Sequence, residues 1–506
     1  MKEVTGLNYQ ELSALAKNYN SVPVTKTLPI AARDPVETFK ALKNLSKQCF
    51  ILESLEDAGR WGRYTFLGYD PKLEISCVDG VLSIKNGATI QIETFDPAAY
   101  IAGILSENRG PALPDMPPFM GGLAGYFSFD YIKYGEPVLR RKMADGGFDA
   151  PAFKDFDLML FDKVIAYDRL KGEIIIIITI KTDSFDENYE RAKGELEHLA
   201  RIVAEGAQAA IPPLRICSPF RPLFSEARYC EMIRRAIHYI HEGDIFQVVL
   251  SNQYEAEVEG SLFDTYRILR ELNPSPYMFY FSSDDVEIAG ASPETLVKLR
   301  DGEVFTFPLA GTRPRGKTPE EDIALERELL ADEKELAEHT MLVDLGRNDL
   351  GRICEFGSVT VEKYRAVERF SHVMHIGSTV KGRIRAGKSA LDAINAVLPA
   401  GTLSGAPKIR ACQIIRELEE GGAGISAARG LYGGAVGYLD LSGGMDACIA
   451  IRLAYKRCGK VFARSGAGIV ADSVPEKEYA ECRNKLAAVM RALEQAAGGI
   501  NDSADR

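Results

Sequence analysis

Gly433–Ser473 reads GGAVGYLDLSGGMDACIAIRLAYKRCGKVFARSGAGIVADS. β-branched and aromatic runs alternate there with glycine-bearing turns, and the stretch yields at least three strands. Strands this close in sequence pair antiparallel, because a parallel neighbour needs a crossover of a dozen or more residues.

Outward from it, the same texture recurs. EIAGASPETLVKLRDGEVFTFPLAG (Glu287–Gly311) gives successive strands with a turn at Asp301-Gly302, and DIFQVVLSNQYEAEV (Asp244–Val258) gives another. Further upstream, GRYTFLGY, LEISCV and VLSIKNG are short β-rich runs. DLMLFDKVIAYD and GEIIIIITIK, joined by a turn at Arg169–Gly172, read as a hairpin. Helical periodicity is confined to Tyr229–Glu242, to a long charged helix over Glu320–Leu345, and to a final helix from Pro475. Ser473 is the candidate cap of that last helix, with Pro475 near its first turn. Blocks of hairpin-linked strands with helices between them argue an α+β protein with large antiparallel sheets, not a βαβ fold.

At 506 residues the chain has length for about three domains. One composition shift, AEGAQAAIPPL (Ala204–Leu214), reads as a linker. It divides an N-terminal region, 1–214, expected to pack on the same sheets, from a catalytic region, 215–506. The net charge of -11 disfavours nucleic acid and anionic membranes as partners, although a local cation or a bound metal can reverse the sign within one cleft. Nine cysteines, an odd number with no CxxC, suggest neither a disulfide framework nor a zinc site. The first twenty residues contain no apolar signal core, and the longest aliphatic run, Ile174–Ile178, is far too short to span a bilayer. The expectation is a reduced, cytoplasmic, soluble protein.

Two helices carry the most pointed chemistry. In KELAEHTMLVDLGRNDL, Glu335 and Glu338 share a face; in PEKEYAECRNKL, Glu478, Glu481 and Lys485 do the same. Either helix alone reads more readily as a solvated face. If the two converge, four carboxylates demand a cation, and oxygen ligands without His or Cys select Mg²⁺. Spacing alone does not establish convergence. Glycines flank strands in AGTRPRG (Ala310–Gly316), LPAGTLSGAPK (Leu398–Lys408) and SGAGIVADS (Ser465–Ser473), where backbone N–H groups can approach an anion or simply make tight turns. GTLSGAPK lacks the Gly-Lys-Ser/Thr ending of a P-loop. Of two neighbouring histidines, His372 and His375, the first is the better candidate for a satisfied core residue. Glu294 follows an apolar strand, where burial would keep it protonated as a general acid; a capping carboxylate is the alternative.

Taken together, SPETL, AGTRPRG, DEKELAEHTMLVDLGRNDLGR, HVMH, AGTLSGAPK, YGGAVGY, IAIR, GAGIVADS and EYAECRNK resemble the chorismate-utilising enzymes, in that family's order, strongly over about residues 220–495. The resemblance implies two large packed antiparallel β-sheets with helices outside. It implies Mg²⁺ held by Glu338 and Glu481, with Glu335 and Glu478 in supporting or water-mediated roles. It implies Gly311, Thr312 and Thr402 lining the ring pocket of chorismate, and Arg452, Tyr432, Lys485, Gly466 and Gly468 holding its anionic oxygens. Glu294 would be the catalytic acid and His375 the base.

Within the family, members that attack the ring covalently carry a lysine where this chain has Ala310, and water-using members carry one where it has Gln247. A methyl group is no nucleophile and an amide is no base. Both departures point to ammonia, and the chain most resembles the large aminating subunits of anthranilate synthase, which open tryptophan biosynthesis. None of the nine cysteines lies in a Gly-x-Cys-x-Gly glutaminase elbow, so a separate glutamine amidotransferase subunit is expected to deliver the ammonia. ILES (Ile51–Ser54) with GRYTFLG, and NPSPYMF (Asn273–Phe279), resemble the family's tryptophan-binding elements. Glu53, Ser54, Asn273, Pro276, Tyr277 and Met278 are the candidates for L-tryptophan as feedback inhibitor. A sister enzyme making aminodeoxychorismate and a non-enzymatic amino-acid sensor on the same scaffold are the rivals. Ala310 argues against the first, and the four carboxylates argue against the second.

Overall fold

The computed structural model describes residues 7–55, 62–140, 153–370, 373–420 and 428–498. Two antiparallel sheets dominate it, one of 13 strands and one of 12. Each draws strands from both sides of residue 214. The first runs from Ser21–Pro29 at one edge, through Cys49–Glu53, Tyr277–Ser282, Glu287–Ser292 and Leu453–Arg457, to Lys460–Ile469 and Gln247–Glu259. The second runs from Leu309–Pro314 and Val373–Arg383, through Thr295–Arg300, Met445–Ile449 and Ala435–Asp440, to Ala88–Glu93. Phenylalanines 50, 119, 161 and 279, all fully buried, belong to an apolar cluster drawn from strands of both sheets. Helices cover the outer faces: Phe185–Glu205 and Pro475–Ala496 pack with the first sheet, Ala390–Val397 with the second.

The decisive stretch holds four strands, and it changes sheet midway. Ala435–Asp440 and Met445–Ile449 pair in the second sheet, Leu453–Arg457 and Lys460–Ile469 in the first. Glu287–Ser292 and Thr295–Arg300 make the reverse crossing. The two crossings are bonded side by side: Ile449 N donates to Glu294 O at 3.0 Å and Ala291 N to Arg452 O at 3.1 Å. Glu294 and Arg452 lie half-buried at these two crossings, and this is where the site forms.

Three sequence expectations need correction. DLMLFDKVIAYD is not one strand of a hairpin. It breaks at Asp162, with Phe156–Phe161 in the second sheet and only Lys163–Asp168 pairing Glu173–Lys181. Both halves are buried along their whole length, so no alternation marked the break. The charged helix is two, Pro319–Ala331 and Glu333–Gly351; Asp332 ends the first and caps the second through the N–H groups of Lys334 and Glu335. Ser473 is not the final helix's cap residue, which is Val474; its hydroxyl donates to Glu478 instead. The Ala204–Leu214 segment is pinned, with Ala209 N on Lys40 O and Asn44 Nδ2 on Ala207 O at 2.6 Å. The Asp301-Gly302 turn takes positive φ at both residues, 52° and 77°, as a tight hairpin requires. All nine thiols are free. No helix among the described residues is long and apolar enough to cross a membrane.

Candidate active site

Glu294 stands at the first sheet crossing with its carboxyl desolvated. Burial raises it from an ordinary 4.5 to about 8, against the smaller opposing effects of a hydrogen bond from Thr402 Oγ1, at 3.2 Å, and the Lys485 ammonium. A carboxyl in that state is protonated at neutral pH and can donate.

His375, on Val373–Arg383, places Nδ1 2.8 Å from the carbonyl of Gly311 on the neighbouring strand. A carbonyl only accepts, so Nδ1 carries the proton and Nε2 is left with the lone pair. Desolvation lowers its pKa, and nearby Arg452 lowers it further, so the ring is neutral and basic at Nε2. Thr312 Oγ1 lies 3.1 Å from the same Nδ1, so Gly311 and Thr312 both border the imidazole. His372 lies outside the described residues.

Arg452 occupies the second crossing in a left-handed backbone conformation, φ 52°. A non-glycine residue held there costs on the order of 1–3 kcal/mol, which the surrounding hydrogen bonds must enforce. Its guanidinium is half-buried and makes no hydrogen bond or ion pair among the described residues, and desolvation lowers its pKa. A desolvated cation without a counter-ion suits an anionic ligand. Tyr432 is buried beside it. A Cβ on Gly466 would come within 2.9 Å of the Tyr432 hydroxyl and 2.6 Å of Leu250 O, and one on Gly468 within 2.7 Å of Gln247 Nε2. At Gly466 the clash is with backbone, so only glycine fits there; at Gly468 a side chain would have to displace the Gln247 amide. Gln247 is itself buried, with Oε1 lacking a partner.

The two glutamate-bearing helices do approach each other. Like-charge repulsion from Glu481 reaches Glu335 and Glu338 as well as its own neighbour Glu478, and burial is the largest cause of the raised pKa of all three. Lys485 sits among them, 2.7 Å from Glu481 Oε1 and 3.4 Å from Gly466 O. The group is an open one. The described triad of acids within 4.8 Å of one another is instead Glu74, Asp157 and Asp285, where Lys154 Nζ already serves all three at 2.9, 2.8 and 3.1 Å. Glu338, half-buried, accepts no hydrogen bond among the described residues. A desolvated, unpartnered carboxylate facing other carboxylates fits a hard divalent cation.

The inhibitor candidates gather elsewhere. Strand pairing sets Met278 opposite Glu53, and a cavity of about 110 Å³ is lined by Glu53, Ser54, Pro276, Tyr277 and Met278. The Ser54 hydroxyl is buried without a partner. Glu53, in contrast, is already engaged: Arg169 and Arg270 donate to it at 3.3 and 3.1 Å, and the Tyr266 hydroxyl donates as well. An incoming ammonium must share that carboxylate with two arginines. Asn273 is the C-cap of helix Phe263–Leu272 and is not among the residues lining the cavity. Sequence reading missed Lys298, Asp446 and Tyr438, which complete the wall from the second sheet. Nothing local marks them, because only the packing of the two sheets brings them there.

A family profile described as chorismate binding enzyme matches residues 48–491. The chain is 42% identical over 496 residues to anthranilate synthase component 1 of Acetivibrio thermocellus, covering 96% of this chain and 98% of that one. It is 41% identical over 493 residues to the component 1 of Aquifex aeolicus, with the same coverage. The solved anthranilate synthase component I of Streptococcus pneumoniae TIGR4 is 38% identical with a TM-score of 0.71, over 85% of this chain and 92% of that one. The menaquinone-specific isochorismate synthase of Escherichia coli, 19% identical, shares the fold at a TM-score of 0.69 over 95% of this chain and 99% of that one.

Proposed function

The chain belongs to the chorismate binding enzyme family, and from that premise we propose that it joins chorismate and ammonia to give anthranilate and pyruvate, the opening step of tryptophan biosynthesis. One observation carries the reading: on two adjacent sheet crossings stand a carboxyl kept protonated, Glu294, and Arg452, a cation with no counter-ion among the described residues, whose charge reaches an imidazole kept neutral, His375. A reaction that expels a hydroxyl and then removes a ring proton needs both groups in those states.

Glu294 protonates the departing C4 oxygen, which leaves as water, while ammonia adds at the ring carbon C2. His375 Nε2 then takes the C2 proton as the enolpyruvate departs and takes up a proton to become pyruvate, and the aromatic ring so formed makes the step effectively irreversible. Arg452, Tyr432, Lys485 and the backbone at Gly466 and Gly468 hold anionic oxygens; Gly311, Thr312 and Thr402 border the ring. Glu338 and Glu481, supported by Glu335 and Glu478, are the residues that would hold Mg²⁺, which when bound polarises the ring carboxylate and offsets its charge. With Ala310 and Gln247 in place of lysines, neither a covalent ring nucleophile nor a base for water stands at those positions. A glutamine amidotransferase subunit supplies ammonia, and L-tryptophan occupies the cavity beside Ser54 as inhibitor. Residues 1–214 contribute that cavity's first wall and 215–506 the chorismate site.

The test is direct. The purified chain with chorismate, Mg²⁺ and ammonium at alkaline pH should develop anthranilate fluorescence, and its absence would overturn the reading.

A further inference from the structure

Behind the site lies a buried charged cluster that the proposed mechanism does not use. Glu419, Arg429 and Arg464 are 4, 2 and 3% exposed. Removing such groups from water costs several kcal/mol per ion, repaid only where geometry is close and hydrogen bonds are many. Both conditions hold. Arg429 donates to both Glu419 oxygens, Nε at 3.0 Å and Nη2 at 2.6 Å. Arg464 Nη2 donates to Glu419 at 2.7 Å, and Ser251 donates to Glu419 from both N and Oγ.

The remaining donors of Arg429 leave the cluster. Nη1 donates to Leu403 O and Nη2 to Val249 O, each at 2.6 Å. Leu403 follows Thr402, whose hydroxyl bonds Glu294. Ser251, two residues beyond Val249, pairs across the sheet with Gly466. Arg429 also precedes Tyr432 by three residues and lies 5.9 Å from its ring. One guanidinium therefore bonds the segment that carries Thr402 and the strand paired with Gly466, and lies against the ring of Tyr432.

We propose that Arg429, seated by Glu419, is a positioning residue for catalysis, setting the Thr402 hydroxyl against the acid Glu294 and the Tyr432 hydroxyl over Gly466. The inference rests on the chorismate reading. It acts through geometry: a planar fork with five donors fixes two carbonyls at once, and an ammonium on a flexible stem does not. Misplacing a catalytic contact by about 1 Å can cost on the order of 10²-fold.

A double-mutant cycle in anthranilate formation tests it, with Arg429→Lys, Thr402→Val and the pair. Wild-type turnover is measured first; no anthranilate overturns the functional reading and this inference with it. Given turnover, Arg429→Lys should lower kcat on the order of tenfold or more, with a smaller change in chorismate KM. The double variant should be no worse than the poorer single one. Both single variants should also move the pH limb of the acid upward, because each weakens the hydrogen bond that restrains it. A purely structural Arg429 would give additive losses, a lower Tm and an unmoved limb, and that pattern overturns the proposal while leaving the functional reading intact. If Arg429→Lys fails to fold, Ser251→Ala, which removes a hydroxyl that donates to Glu419 and accepts from Arg464 Nε without unpairing a charge, takes its place under the same criteria.

Discussion

The Tyr277 hydroxyl lies 2.8 Å from the Thr295 hydroxyl, one residue from Glu294, and 2.8 Å from Asp446. Tyr277 also lines the 110 Å³ cavity beside Ser54. Tyr277 thus pairs with Ser292 and bonds Thr295, on either side of the acid, so a ligand that moves Tyr277 has a short physical route to the site. A ligand shifts activity only by binding one state better than another. Tryptophan should therefore inhibit wild type, and chorismate should in turn weaken tryptophan binding. Ser54→Phe fills the cavity; its inhibition curve should shift by at least about tenfold with uninhibited activity preserved. Coincident curves for the two proteins would remove the site.

The carboxylate pair makes a separate prediction. Glu338→Gln or Glu481→Gln should cut ammonia-dependent turnover at least about 100-fold and weaken Mg²⁺ binding measured by calorimetry, with the fold intact by circular dichroism. Near-normal turnover at saturating Mg²⁺ in either variant would dismiss the metal assignment.

Acid and base should separate by product. Glu294→Gln blocks the first stage and should lower the rate about 10²–10⁴-fold without releasing an intermediate. His375→Met spares amination and should release aminodeoxyisochorismate, detectable by chromatography, in place of anthranilate. Normal anthranilate output from His375→Met would mean another group takes the proton.

Glu294 also predicts a pH dependence. Its folded value, about 8, lies above the ordinary 4.5, so between those values the native state holds a proton that the unfolded chain has lost. Stability therefore falls as pH rises across that window. Glu294→Gln, which cannot ionise, should gain Tm relative to wild type from pH 5 to pH 8 and level off above. A difference that does not vary with pH would show that the carboxyl ionises freely in the fold. Activity expressed per neutral ammonia should decline above about pH 8 for the same reason.

Nitrogen donors give the last test. The isolated chain should use ammonium but not glutamine, and adding a glutamine amidotransferase subunit should restore glutamine-dependent anthranilate formation. Glutamine use by a demonstrably pure single chain would refute the need for that subunit.

The sequence by itself determined what is local. Strand texture and turn chemistry named the antiparallel sheets, and Asp301-Gly302 turned where read, because the positive φ it needs is a property of those two residues. Glu335 with Glu338, and Glu478 with Glu481, share faces by helical period alone. What depended on burial from a distant layer was not legible. Phe156–Phe161 and Lys163–Asp168 look like one run, since each is buried along its whole length and neither alternates, and only the packed sheets divide them at Asp162. Asp332 breaks a helix whose period continues past it, because its carboxylate caps the next turn and also binds Arg313. The states of Glu294, His375 and Arg452 belong to tertiary structure entirely. Spacing can bring an ionisable group near a strand end, but a pKa moves only when the second sheet, its crossings and two remote helices exclude water around it.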